Sequence, residues 1–115
     1  MLTYSIIVFA ITAVGGLFLA IKILTGHQAP WAISIVHALL GATGLVLLIL
    51  TVVNEAAGVG RITAALGLFV IAALGGFYLA SIHFKGKLAP KSVVLIHGGV
   101  AVAGFLTLLS VALGL

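Results

Sequence analysis

The chain has no cysteine, which excludes disulfides, thiolate metal sites and cysteine nucleophiles. It has one acidic residue, Glu55, so chemistry that needs two carboxyl groups for general acid–base work is absent as well. Small multidrug exporters and rotary proteolipids depend on a carboxylate inside the membrane, and Glu55 falls between two apolar runs instead. Charge of either sign is scarce: 5% of the 115 residues are charged and 64% are hydrophobic, a balance that cannot cover the surface of a soluble domain. Phosphate-binding loops, nucleotide motifs and nucleophile–base constellations are missing. Any chemistry the chain supports belongs to a bound cofactor.

What the chain does have is four apolar runs, at about 2–24, 32–53, 62–84 and 92–114, each long enough for the roughly 20 residues that a membrane span requires. They are joined by "TGHQAPW", "NEAAGVGR" and "KGKLAPK". The first run lacks the basic leader of a signal peptide and is read as a span. The expected fold is all-α: a polytopic membrane protein, an up-down four-helix transmembrane bundle in a single domain over 1–115 in contact with the lipid bilayer. The net charge of +4 rests on five basic residues. Four of them, Lys22, Lys85, Lys87 and Lys91, flank the first and third connections, an arrangement that argues topology and no nucleic acid. The positive-inside rule places loops 25–31 and 85–91 in the cytoplasm of a prokaryotic inner membrane, with both termini, Glu55 and Arg61 outside.

Shifting the sequence against itself by 60 residues pairs 3–55 with 63–115 without a gap, and 14 of 53 positions are identical. Biased composition supplies part of that agreement. It does not supply Gly15 and Gly16 on Gly75 and Gly76, Ala29-Pro30 on Ala89-Pro90, Gly44 on Gly104, and His37 on His97. The expectation is two tandem helical hairpins related by a pseudo-two-fold axis along the membrane normal, so that equivalent residues share one depth.

His37 and His97 each fall about five residues, or roughly 8 Å of helical rise, inside the inner ends of the second and fourth spans. In an up-down bundle those spans occupy one diagonal, and two inward histidines face each other across the axis. Ionisable groups in a membrane are costly and usually mark a site. Along the His37 face lie Gly41 and Gly44, and along the His97 face Ala101 and Gly104. The other diagonal adds Gly15, Gly16, Gly75 and Gly76 within a turn or so of the same depth.

Side-chain volume removed at one level around two facing imidazoles suits a broad, flat ligand: haem b, one per chain, with His37 and His97 on the iron. There is no C-x-x-C-H motif for covalent attachment. In this pattern the chain resembles the four-helix membrane b-type cytochromes, in which histidines on facing helices clamp haem and glycines clear room for it. The two-haem versions commonly carry two well-separated histidines on a helix; here each of these helices has one, implying a single haem near the cytoplasmic side. That implies electron transfer or anchoring there, with quinone or another membrane redox subunit as partner.

Other readings stand beside this one. Gly16 with Ala20 and Gly76 with Ala80 fit small-xxx-small helix packing, and an accessory packing subunit without a cofactor is one alternative. A small transporter or channel using the histidines as proton carriers is another, and a direct His–His hydrogen bond is the simplest structural role for the pair. His27 and His83 break the repeat and read as interfacial residues. Their sharper readings are proton transfer or quinone contact by His83, or a four-histidine metal cluster of His83 with His27, His37 and His97. Tyr78 falls near the ring level and reads as packing, with a carbonyl or a propionate for its hydroxyl; Lys85, Lys87, Lys91 and Lys22 are candidate propionate partners. Trp31 and Tyr4 read as interfacial anchors, and Pro30 and Pro90 open the second and fourth helices.

Overall fold

The computed structural model describes residues 1–54 and 60–115; Glu55 and the rest of its loop lie outside the described residues. Four helices follow one another: α1 (Leu2–Leu24), α2 (Trp31–Asn54), α3 (Gly60–Phe84) and α4 (Lys91–Ala112). Each is long and apolar enough to cross a membrane. Among the described residues there is no strand.

The helix ends are written locally. Gly26, Gly86 and Gly114 have φ of 82°, 72° and 71°, the left-handed conformation that glycine adopts without steric cost. Each sits one residue beyond a helix C-cap and closes it with the paired bonds of a Schellman turn. After α1, His27 N–H donates to Lys22 O (2.9 Å) and Gly26 N–H to Ile23 O (3.0 Å); α3 repeats this with Lys87 to Ile82 and Gly86 to His83. For α4 the same turn at Gly114 ends the helix at Ala112, two residues short of the expected run. Pro90 is the N-cap of α4, and its carbonyl accepts from Val94 N–H as that of Pro30 does from Ser34 N–H. The prolines therefore precede the first helical residue, where no intrahelical donor is required.

The helices form an elongated four-helix bundle of 45 × 21 × 19 Å. The long dimension matches a bilayer with its headgroup regions, about 40–45 Å. Each helix packs against its two neighbours, α1 on α2 and α4, and α3 on α2 and α4, while the backbones of the diagonal pairs α1/α3 and α2/α4 stand apart. Large apolar side chains such as Val14, Val53 and Leu74 are more than 60% exposed; with no carboxylate or amine among them, these faces suit lipid contact. Buried hydroxyls are satisfied within their own helices: Thr12 Oγ1 donates to Val8 O (2.7 Å) and Thr51 Oγ1 to Leu47 O (2.8 Å). At the end away from the lysines, Arg61 Nη1 donates to Ser110 Oγ (3.1 Å) and to Leu115 O (2.6 Å), tying the start of α3 to the end of α4.

Candidate functional site

His37 and His97 each stand six residues after the first residue of α2 and α4, about 9 Å of rise. Each imidazole is seated on the helix before it in the chain. His37 Nδ1 donates to Thr12 O (2.9 Å) and His97 Nδ1 donates to Ala72 O (2.7 Å). A main-chain carbonyl can only accept, so both Nδ1 atoms carry the proton and a neutral ring keeps a lone pair on Nε2.

Why can a side chain reach a carbonyl that already belongs to a helix? Residues i and i+4 lie on one face, with Cβ atoms tilted back toward the helix start, so an ordinary residue at i+4 shields the carbonyl of residue i. Here i+4 is Gly16 for Thr12 and Gly76 for Ala72. A Cβ built on Gly16 would lie 2.8 Å from His37 Cε1, and one on Gly76 would lie 3.2 Å from His97 Cε1. These glycines expose the carbonyl and make the space in which the ring lies. Gly15 and Gly75 stand further off, with a built Cβ 3.9 Å and 3.5 Å from the corresponding Nδ1.

The two rings face each other with centroids 6.3 Å apart and planes at 75°. No hydrogen bond joins them: each is held by a carbonyl of another helix, which removes the direct His–His bond as the explanation of the pair. Between them and around them is a cavity of about 590 Å³ lined by all four helices. Its walls near the histidines are small, including Gly16, Ala38, Gly41, Gly76, Gly98 and Ala101. One end is closed by Phe9 and Phe69, whose rings stack in parallel with centroids 3.9 Å apart. The other end runs to the lysine-bearing loops, where Gln28, Trp31, Ser34, His83 and Lys87 border it.

The residues singled out in the sequence separate accordingly. His37, His97, Gly41, Ala101, Gly16, Gly76 and His83 border the cavity. Gly44 and Gly104 do not: a Cβ on Gly44 would meet Phe9 Cε1 at 2.7 Å and one on Gly104 would meet Phe69 Cε2 at 3.3 Å, so their space is taken by phenyl rings. Gly15 and Gly75 likewise lie behind the imidazoles. Tyr78 is 54% exposed and does not border the cavity; its position on α3 turns the ring to the outside of the bundle. Lys85 and Lys91 are exposed and outside the lining, whereas Lys87 is part of it. Trp31 does more than anchor, since its ring stacks on His83 at 3.8 Å between centroids and 7° between planes. His27 is exposed with Nδ1 3.2 Å from Thr25 Oγ1. Among the described residues no three His, Cys, Asp or Glu side chains come together, which removes the histidine cluster with His27.

Two features of the site escaped the sequence reading. Thr12 O and Ala72 O are main-chain atoms that any residue type supplies, and the glycine four positions later is their only trace. Phe9 and Phe69 did leave a signal, being identical across the 60-residue offset. Comparison with models of known families, with curated proteins and with solved structures finds no match to this chain.

Proposed function

We propose that this chain is an integral membrane protein built from a duplicated helical hairpin, in which His37 and His97 hold one haem b between α2 and α4. The observation that carries the reading is the pair of imidazoles, each anchored through Nδ1 to a carbonyl, facing each other at 6.3 Å across a cavity. Metal ligation by histidine commonly uses this arrangement, with the far nitrogen donating to a carbonyl so that tautomer and ring direction are set in advance. Two imidazoles on opposite sides of one metal, with metal–nitrogen bonds of about 2 Å, have ring centroids about 6 Å apart. A volume of about 590 Å³ is in the range of cofactor pockets, about 300–1,000 Å³. The small walls leave room for a flat group to extend from the metal.

Haem would supply one-electron redox chemistry. His37 and His97 would hold it, the Phe9–Phe69 floor would keep water from that end, and Gln28, Ser34, His83 and Lys87 border the cavity at the end with the lysine-bearing loops. By the positive-inside rule those loops are cytoplasmic, which would make quinone or a redox subunit docked at the lysines the partner. The duplication supports the reading, because each repeat contributes one glycine-seated histidine at one depth. Transport by a carboxylate finds no group here, the single acid being Glu55.

The test is an absorption spectrum of the detergent-purified protein, oxidised and dithionite-reduced, with pyridine haemochrome stoichiometry. One b-type haem per chain with a sharp reduced α-band is expected. A colourless protein from haem-replete cells would overturn the proposal and leave a packing subunit as the better reading.

A further inference from the structure

The two halves of the bundle differ in how they close equivalent helix interfaces near the lysine-bearing end. Where α1 meets α4, Ile23 and Val94 are buried together with Ala29 in a small apolar cluster. The positions 60 residues away are His83 and Ser34, where α3 meets α2; Ser34 Oγ lies 3.5 Å from His83 Nδ1. The fold closes the first interface with two aliphatic side chains, so packing alone does not call for a polar pair at the second. Trp31, stacked on the His83 ring, holds it in place. Among the described residues His83 Nε2 is the buried side-chain nitrogen or oxygen without a hydrogen-bond partner, and a buried polar group without a partner is an exception that calls for an explanation; a ligand in the cavity that His83 borders is one.

The surroundings define what that ligand carries. His83, Ser34, Gln28 and Lys87 border the loop end of the cavity, with Gln28 Nε2 donating to Lys87 O (3.2 Å) and so joining the two loops. Lys22, Lys85 and Lys91 stand at the same end of the bundle, and no acidic side chain is found among the described residues, the one acid of the sequence, Glu55, lying outside them. Among the described residues the opening is therefore positive with no carboxylate, and the opposite end of the cavity is a pair of phenyl rings. An amphiphile enters such a cavity with its apolar body toward Phe9 and Phe69 and its anionic oxygens toward His83 and Lys87.

We propose that His83, with Ser34 and Lys87, binds the carboxylate edge of the cavity's ligand, and so sets which way that ligand faces. The assignment rests on the haem reading, and the carboxylates are then the haem propionates. The Ser34 hydroxyl donates to His83 Nδ1, and His83 Nε2–H donates to a propionate oxygen, with the Lys87 amine supplying charge.

The experiment titrates the full-length apoprotein in detergent with haem and with haem dimethyl ester, whose carboxylates are masked, for wild type, His83→Phe and Lys87→Gln. Wild type is expected to bind the ester about tenfold to a hundredfold more weakly than haem, the range of a hydrogen bond to a charged group. His83→Phe keeps an aromatic ring on Trp31 and is expected to bring the two ligands close to equal affinity. Lys87→Gln, on an exposed loop, reduces the preference for haem partway without touching the packed helices. A wild-type preference that persists unchanged in both variants overturns the assignment, as does a wild type that binds both ligands equally with low-spin spectra, which leaves the haem reading standing. A wild type that takes up neither ligand overturns the haem reading and this assignment with it.

Discussion

Gly16→Ala tests whether the glycines seat the imidazoles. The new Cβ would lie 2.8 Å from His37 Cε1, about 1 Å inside an ordinary carbon–carbon contact of 3.5–4.0 Å. The ring cannot swing away freely, because its Nδ1 is bonded to Thr12 O at 2.9 Å. Either the helices part, at an overpacking cost of about 1–3 kcal/mol, or the hydrogen bond is lost, at about 0.5–1.5 kcal/mol. Against this stands the gain of alanine over glycine within a helix, about 1 kcal/mol or less. The net expectation for Gly16→Ala is a loss of up to about 2 kcal/mol, which places it about 0.5–3 kcal/mol below a glycine-to-alanine change that makes no such contact. Gly15→Ala is the control: its Cβ would stand 3.9 Å from the same ring, an ordinary contact, so the variant is neutral or stabilised by up to about 1 kcal/mol. Thermal unfolding of the apoprotein in detergent, followed by circular dichroism, compares the two without reference to any cofactor. Equal shifts for the pair would refute the seating argument.

Gly44→Ala is expected to lower stability by about 1–3 kcal/mol through contact with Phe9, and Phe9→Leu in the same chain should recover part of that loss; absence of recovery would mean the glycine serves another contact. Phe9→Ala removes half of the stacked floor and should cost about 3–5 kcal/mol in the same unfolding assay. His37→Ala and His97→Ala should each abolish the low-spin haem spectrum while His27→Ala leaves it intact, and a core variant that keeps the spectrum would exclude the ligand pair. Gly41→Leu, which places volume directly in the cavity, should block haem uptake measured by spectral titration with circular dichroism unchanged.

The four helices were legible because the signals are local and redundant. Runs such as 2–24 carry no polar residue strong enough to end a span, and the T-G-H and K-G-K sequences at residues 25–27 and 85–87 stop α1 and α3 through glycines that adopt positive φ. The histidines were legible as exceptions, each an ionisable group in an apolar run that carries almost none. Glycine was harder to read. Gly16, Gly41 and Gly44 are the same letter, yet one exposes a carbonyl for a histidine, one borders a cavity and one receives a phenyl ring. Tyr78 was misplaced for a related reason: depth along a helix follows from counting residues, but direction around it follows from the neighbouring helices.

By itself, then, the sequence determined that this chain makes four long apolar helices, where they stop, and at what height its rare polar groups stand. Apolar solvent leaves the backbone no partner but itself, so helix formation needs nothing beyond the run of residues. Only the tertiary structure decided what fills each space. The rotation of α1 against α2 and of α3 against α4 brings Thr12 O under His37 and Ala72 O under His97. The meeting of α1 and α3 through Phe9 and Phe69 closes the cavity floor, and the α2–α3 contact brings His83 between Trp31 and Ser34. Those pairings join residues 25 to 60 positions apart, and no local preference encodes them.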